Sequence, residues 1–128
     1  MDRYGGYIME YKILIAEDEI AMRSMLVDFL TECDYEVLEA ENGQVAWDLW
    51  NKNKCNLLIT DINMPLLNGI DLLKKIKLVD KNFPVIVVTC VTIENARNEA
   101  VAFGADAFLA KPFKMKDLLV KINELSNT

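Results

Sequence analysis

The sequence contains no histidine. That absence removes His-based nucleophilic triads, imidazole-ligated zinc and any role for this chain as the carrier of a phosphohistidine. Cysteine is scarce: Cys33, Cys55 and Cys90 make three, an odd number with no CxxC spacing. They exclude a disulfide framework and read as small buried residues in a reducing compartment. Basic residues are outnumbered, 14 against 20 acidic, for a formal net charge of -6. That balance argues against a general nucleic-acid binder and against attraction to an anionic bilayer. No apolar run approaches the roughly 18 residues that span a bilayer. Asp2, Glu10, Glu17, Asp18 and Glu19 argue against a secretory signal, so a cytoplasmic location is expected. Chemistry is left to carboxylates, hydroxyls, lysine and a hard metal ion.

What is present fits one α/β domain. The chain has 128 residues, 52% of them hydrophobic, enough to fill a single core. Short apolar runs alternate with amphipathic stretches. Ile13 to Ala16 lacks polar alternation, the mark of a strand covered on both faces. Met22, Met25, Leu26, Phe29, Leu30 and Cys33 recur at steps of three and four, one face of a helix. Tyr35 to Glu39 reads as a more polar edge strand. Asn42-Gly43 starts a second helix with Val45, Ala46, Leu49 and Trp50 facing inward; of Trp47 and Trp50, one is expected to pack and the other to be partly exposed. Leu57 to Thr60 is a buried strand ending at Asp61, and Ile70, Leu73 and Ile76 mark a third helix. Val85 to Thr89 is the most hydrophobic strand. Ile93, Ala96, Ala100 and Phe103 give a fourth helix, stopped by Gly104 at a C-cap. Ala107 to Ala110 is a fifth strand, and Leu118, Leu119, Ile122 and Leu125 line the last helix. Five strands, each followed by a helix, imply a doubly wound five-stranded parallel sheet. Residues 1–11 have no clear period and read as a flexible N-terminal arm, leaving 12–126 as the domain.

In such sheets, ligands bind at the carboxyl ends of the strands. Glu17 and Asp18 end the first strand, Asp61 the third and Thr89 the fourth; Lys111 follows the fifth. All are expected on one rim. Three carboxylates in one crevice repel one another and stay ionised together when a cation sits among them. Oxygen-only ligands point to a hard ion, Mg2+ first and Mn2+ or Ca2+ next. Lysine is a point-charge phosphate binder, and a threonine hydroxyl donates to a phosphoryl oxygen. Together these are the parts of a phosphoryl-transfer site.

The segments Lys12-Ile-Leu-Ile-Ala-Glu-Asp-Glu19, Asp61-Ile-Asn-Met-Pro65 with Gly69, Thr89, and Gly104-Ala-Asp-Ala-Phe-Leu-Ala-Lys-Pro112-Phe113 resemble the receiver domains of two-component response regulators. The resemblance runs from about Lys12 to Leu125. It implies a flavodoxin-like strand order, 2-1-3-4-5. It implies that Asp61 is the phosphoacceptor, that Asp18, Asp61 and the backbone carbonyl of Asn63 ligate Mg2+, and that Glu17, in place of the commoner Asp, holds the ion through water. Thr89 and Lys111 would bind phosphoryl oxygens. Phe108 would be an aromatic that rotates inward on activation, and Lys111-Pro112 a cis bond. The implied partners are a sensor histidine kinase or phosphotransfer protein, and a downstream protein docking on the face of helix four, strand five and helix five, with no direct nucleic acid and no membrane.

Each residue has a plainer reading. Asp18 and Thr89 could cap helices, Lys111 could be a solvated surface lysine, and Phe108 could be ordinary core. Cys90, beside Thr89, reads as a packing residue before a redox sensor. Among other functions, Asp-nucleophile phosphatases need a second carboxylate two residues on, where this chain has Asn63. A flavin carrier needs a phosphate-friendly loop after strand one, where Glu17-Asp18-Glu19 repel phosphate. The expected function is a phosphoacceptor receiver, either standing alone or as a fragment of a larger hybrid kinase or output-domain regulator. The resemblance implies that it is not a conventional enzyme, though it would catalyse its own phosphorylation and slow dephosphorylation.

Overall fold

A computed structural model describes residues 11–90 and 94–126, with the side chains of residues 94–96 outside the description. Strands and helices alternate: β1 (Lys12–Ala16), α1 (Ile20–Glu32), β2 (Glu36–Ala40), α2 (Gly43–Lys52), β3 (Leu57–Thr60), α3 (Gly69–Val79), β4 (Val85–Thr89), α4 (Glu94–Ala102), β5 (Ala107–Ala110) and α5 (Met115–Ser126). All pairings are parallel, in the order β2-β1-β3-β4-β5.

The central strands are apolar at every position because both faces are covered. Leu14, Ala16, Leu58, Val85 and Val87 face one layer, with Ala46, Leu72, Leu73, Ile76 and Ala100 from α2, α3 and α4. Ile13, Ile15, Leu57, Ile59, Ile86 and Val88 face the other, with Leu26, Leu30, Leu118 and Ile122 from α1 and α5. Successive residues of one strand thus feed two separate cores, as the strand's period of two requires. Each fully buried Leu or Ile contributes about 1.5–3 kcal/mol relative to exposure.

Local signals set the boundaries. Asn42 caps α2 by accepting from Val45 N at 2.8 Å, and Asn68 caps α3 by accepting from Asp71 N at 2.9 Å. Gly104 follows α4 with φ +99°, the left-handed conformation that glycine adopts without strain. The edge strand β2 begins at Glu36, one residue later than its periodicity suggests.

Several packing expectations are corrected. Met25 is 54% exposed and Phe103 41% exposed, so neither belongs to the core. The buried residues of α1 are Leu26 and Leu30 alone. Trp47 and Trp50 do not divide into one packed and one exposed ring: both are half-buried and stack at 5.7 Å with 10° between planes, and Trp50 meets Phe83 edge-on. None of the cysteines is fully buried: Cys90 is exposed, and Cys33 and Cys55 are half-buried. Burial still pushes the Cys55 thiol up to about 11. Tyr11, read as arm, packs edge-on against Tyr35 at 5.7 Å and accepts Glu36 N through its carbonyl. Residues 1–10, Ile93 and the Ala96 side chain lie outside the described residues. Among the described residues no helix is long and apolar enough to cross a membrane.

Candidate functional site

The strand order reverses between β1 and β3, and the crevice at their carboxyl ends holds the polar cluster. Ala16 pairs with Thr60, so the next residues, Glu17 and Asp61, leave the sheet side by side. Backbone bonds extend the pairing beyond the strands: Asp61 N donates to Ala16 O and Glu17 N to Ala40 O, both at 3.0 Å. Carboxylate oxygens of Glu17, Asp18 and Asp61 lie within 4.8 Å of one another. Glu17 and Asp61 are buried, whereas Asp18 is exposed at the rim.

Lys111 reaches into this cluster from the end of β5. Its Nζ stands 2.5 Å from Glu17 Oε1 and 2.8 Å from Asp61 Oδ2. Only 10% of its side chain is exposed, against 1% for Glu17 and 7% for Asp61. Burial pushes the Glu17 carboxyl above its ordinary range. Hydrogen bonds from Lys111 and Glu19 N oppose the shift, and the Asp61 charge adds to it. Burial alone would pull the Lys111 ammonium down, but its bonds to Asp61 and Glu17 outweigh that and raise it. One ammonium against three carboxylates leaves an excess of negative charge.

The two oxygens of Asp61 are held differently. Oδ1 accepts from Ile62 N at 2.6 Å and Asn63 N at 3.3 Å, while Oδ2 faces Lys111. The loop below is fixed by Gly69 N donating to Ile62 O at 2.8 Å. Thr89 closes β4, fully buried, and its carbonyl accepts Lys111 N at 2.8 Å. The Lys111-Pro112 bond is cis. Asn63 is exposed. Phe108 lies outside the carboxylate cluster, half-buried in β5 opposite Val87, with the Arg97 guanidinium 5.9 Å over its ring.

Asp18 does not cap α1; the N-cap is Glu19, without a side-chain bond. Sequence reasoning missed Arg23. Its Nη1 donates to Glu17 O at 2.7 Å and its Nε to Glu39 at 3.2 Å, bracing the strand end that carries the acids. The only signal was its place one turn after Glu19. Arg23 also lines an open cleft of about 390 Å³ with Asp18, Glu41, Asn42 and Pro65, which exposes the cluster's rim to solvent.

Residues 13–123 match the family model described as the response regulator receiver domain. The chain belongs to the response regulator receiver domains. This receiver is 36% identical over 119 residues to the chemotaxis protein CheY of Thermotoga maritima, covering 92% of this chain and 99% of that one. It is 32% identical over 111 residues to sporulation initiation phosphotransferase F of Bacillus subtilis, covering 87% and 90%. Among solved structures, a CheY-like receiver from Methanospirillum hungatei superposes with a TM-score of 0.87 at 29% identity, covering 92% and 95%. The response regulator TrrA of Thermotoga maritima, solved in complex with Mg2+ and BeF, superposes with a TM-score of 0.82 at 30% identity, covering 90% and 98%. Receiver domains act with kinases or phosphotransfer proteins and downstream targets in two-component signalling, and bind Mg2+ at an acidic pocket. The Glu17–Asp18–Asp61 cluster is acidic, and its donors are all oxygens, the set a hard divalent cation takes.

Proposed function

We propose that this receiver accepts a phosphoryl group on Asp61 from the phosphohistidine of a sensor kinase or phosphotransfer protein, in the cytoplasm, and that the modified site alters binding of a downstream protein. The observation carrying this reading is the placement of Lys111 Nζ between Asp61 Oδ2 and Glu17 Oε1, within a three-carboxylate cluster. An Asp61 oxygen attacks phosphorus in line; the P–O bond forms as the P–N bond to the donor imidazole breaks. Lys111 then turns from Asp61 to an oxygen of the transferred group, and the Thr89 hydroxyl donates to another. Together they meet an added charge of about -1.5 to -2.

Asp18, Asp61 and the Asn63 carbonyl would hold Mg2+ (Mn2+ as a substitute), with Glu17 reaching it through water. The ion supplies charge neutralisation for the transferring oxygens. Thr89 and Phe108 form the relay: as Thr89 moves toward the phosphoryl group, Phe108 fills the space it leaves, and one of two pre-existing conformations gains population. The readout surface is the α4–β5–α5 face. A groove of about 350 Å³, lined by Arg97, Val101, Phe108, Lys121 and Leu125 among others, supports that choice. The net charge of -6 supports a protein target in preference to nucleic acid or membrane.

Incubation with a small phosphodonor and Mg2+ tests this. One phosphoryl group is added, labile to base and hydroxylamine, and Asp61→Asn abolishes it while the fold stands. Labelling that persists in the variant overturns the assignment.

A further inference from the structure

Helices in this topology run antiparallel to the strands, so α3 and α4 end at the rim opposite Asp61. Between those two helix ends lies a cleft of about 500 Å³, lined by Lys74, Lys77, Leu78, Lys81, Phe103 and Gly104 among others. Its floor is preformed. Lys77 Nζ donates to Phe83 O at 2.6 Å, Asp106 Oδ2 at 2.9 Å and Lys81 O at 3.3 Å. The Lys77 stem runs under Gly104, where an added Cβ would stand 3.5 Å from Lys77 Cε.

The walls are apolar and cationic together. Leu78 is 87% exposed and Phe103 41% exposed. Lys74 Nζ sits 4.0 Å over the Phe103 ring. Four of the chain's 14 basic residues, Lys74, Lys75, Lys77 and Lys81, fall within one eight-residue run whose only acid is Asp80. Lys77 is neutralised by Asp106, and Lys74 touches Asp71 only at 3.9 Å. Among the described residues, Lys81 Nζ makes no ion pair. A cationic, apolar cleft on a chain of net charge -6 is complementary to an acidic, amphipathic ligand. A membrane is the weaker match, since about 1 kcal/mol per lysine near an anionic surface must overcome repulsion from the rest of the chain.

We propose that the α3–α4 cleft docks an acidic segment of a partner protein. One bulky aliphatic or aromatic side chain seats between Leu78 and Phe103, and flanking carboxylates pair with Lys74 and Lys81. Because the cleft lies at the rim opposite Asp61, such a partner stays bound through phosphoryl transfer. The segment acts as a tether.

The test is an amide NMR titration of the whole chain with the synthetic peptide acetyl-Asp-Glu-Leu-Trp-Glu-Glu-amide. Saturable shifts are expected at residues 74–81 and 102–104, weakening as salt rises. They are absent with the same peptide carrying Lys for each acid, or Gly for Leu and Trp. Lys74→Glu with Lys81→Glu lowers affinity about tenfold, from the loss of two surface pairs. Leu78→Ser lowers it separately; this side chain is exposed, so the fold and phosphorylation by a small donor are unchanged. No shifts at the peptide's solubility limit overturn the proposal. So do shifts mapping to the α4–β5–α5 groove, concentration-dependent shifts without peptide (a second copy as occupant), or binding to phosphatidylserine vesicles that the peptide does not compete.

Discussion

Gly69 lies directly against the backbone of Asp61: a Cβ at Gly69 would stand 1.9 Å from the Asp61 carbonyl oxygen. Hydrogen alone fits there, and Gly69 N holds the carbonyl of Ile62, the next residue. The loop carrying the proposed phosphoacceptor is thereby clamped to the first turn of α3.

Gly69→Ala should therefore disturb both stability and site. Backbone cannot swing aside as a flexible side chain can, so the loop must move. A loss of about 3 kcal/mol is expected, at the upper end of overpacking costs, read from urea unfolding. Mg2+ affinity should fall in the same variant, because Asp61 and Asn63 move with the loop.

Lys111→Met removes the ammonium while keeping most of the stem. Glu17 and Asp61 then share a buried crevice without a counter-ion, and a metal-free loss of about 3 kcal/mol is expected, as for other broken buried pairs. Added Mg2+ should restore part of it by mass action. With the opposing Lys111 bond gone, the Glu17 carboxyl rises further above its ordinary range. The folded chain then keeps a proton that the unfolded chain has released. Stability of the variant should be greatest below the ordinary carboxylate value and fall as pH rises through the raised one. Melts across the acidic range check this.

Asp18→Ala acts in the opposite sense. Asp18 is exposed and lies within the 4.8 Å cluster, so its removal relieves repulsion at little packing cost. Metal-free stability should rise by about 0.5 kcal/mol, about 2 °C in Tm, while the Mg2+-induced rise shrinks. An equal Mg2+-induced rise in both proteins would contradict the ligand role.

Trp47 and Trp50 stack on α2, and Trp50 rests on Phe83, away from the residues that meet Asp61. Mg2+ should perturb their emission only weakly. An NMR titration with Mg2+ and then beryllofluoride, a phosphoryl mimic, should move amides between residues 89 and 111 while α2 stays nearly silent. Shifts confined to the metal site would make Phe108 ordinary core.

The central strands were legible because burial on both faces leaves them no polar alternation: Leu57–Thr60 and Val85–Thr89 match their periodicity residue for residue. Glu17, Asp18, Asp61, Thr89 and Lys111 were legible because each follows or closes such a strand, and a parallel sheet carries all its strand ends to one rim. Helical spacing was less decisive. It defines a stripe broader than the contact surface, so Met25 and Phe103, at the margins of their stripes, stay in solvent. The direct Lys111–Glu17 bond was hidden because sequence gives no measure of how far a glutamate's extra methylene reaches. Arg23 was hidden because its bond to the acid-bearing strand end goes to a backbone carbonyl, which carries no residue code.

Lys111 is separated from Asp61 by 50 residues and from Glu17 by 94. The site is therefore completed late along the chain: a nascent polypeptide emerging through β4 already holds its acids but not their counter-ion. Contacts of such sequence separation form only after the intervening loops have closed. On the proposed function, a truncated product ending before β5 should therefore take up no phosphoryl group from a small donor even where its sheet has begun to form.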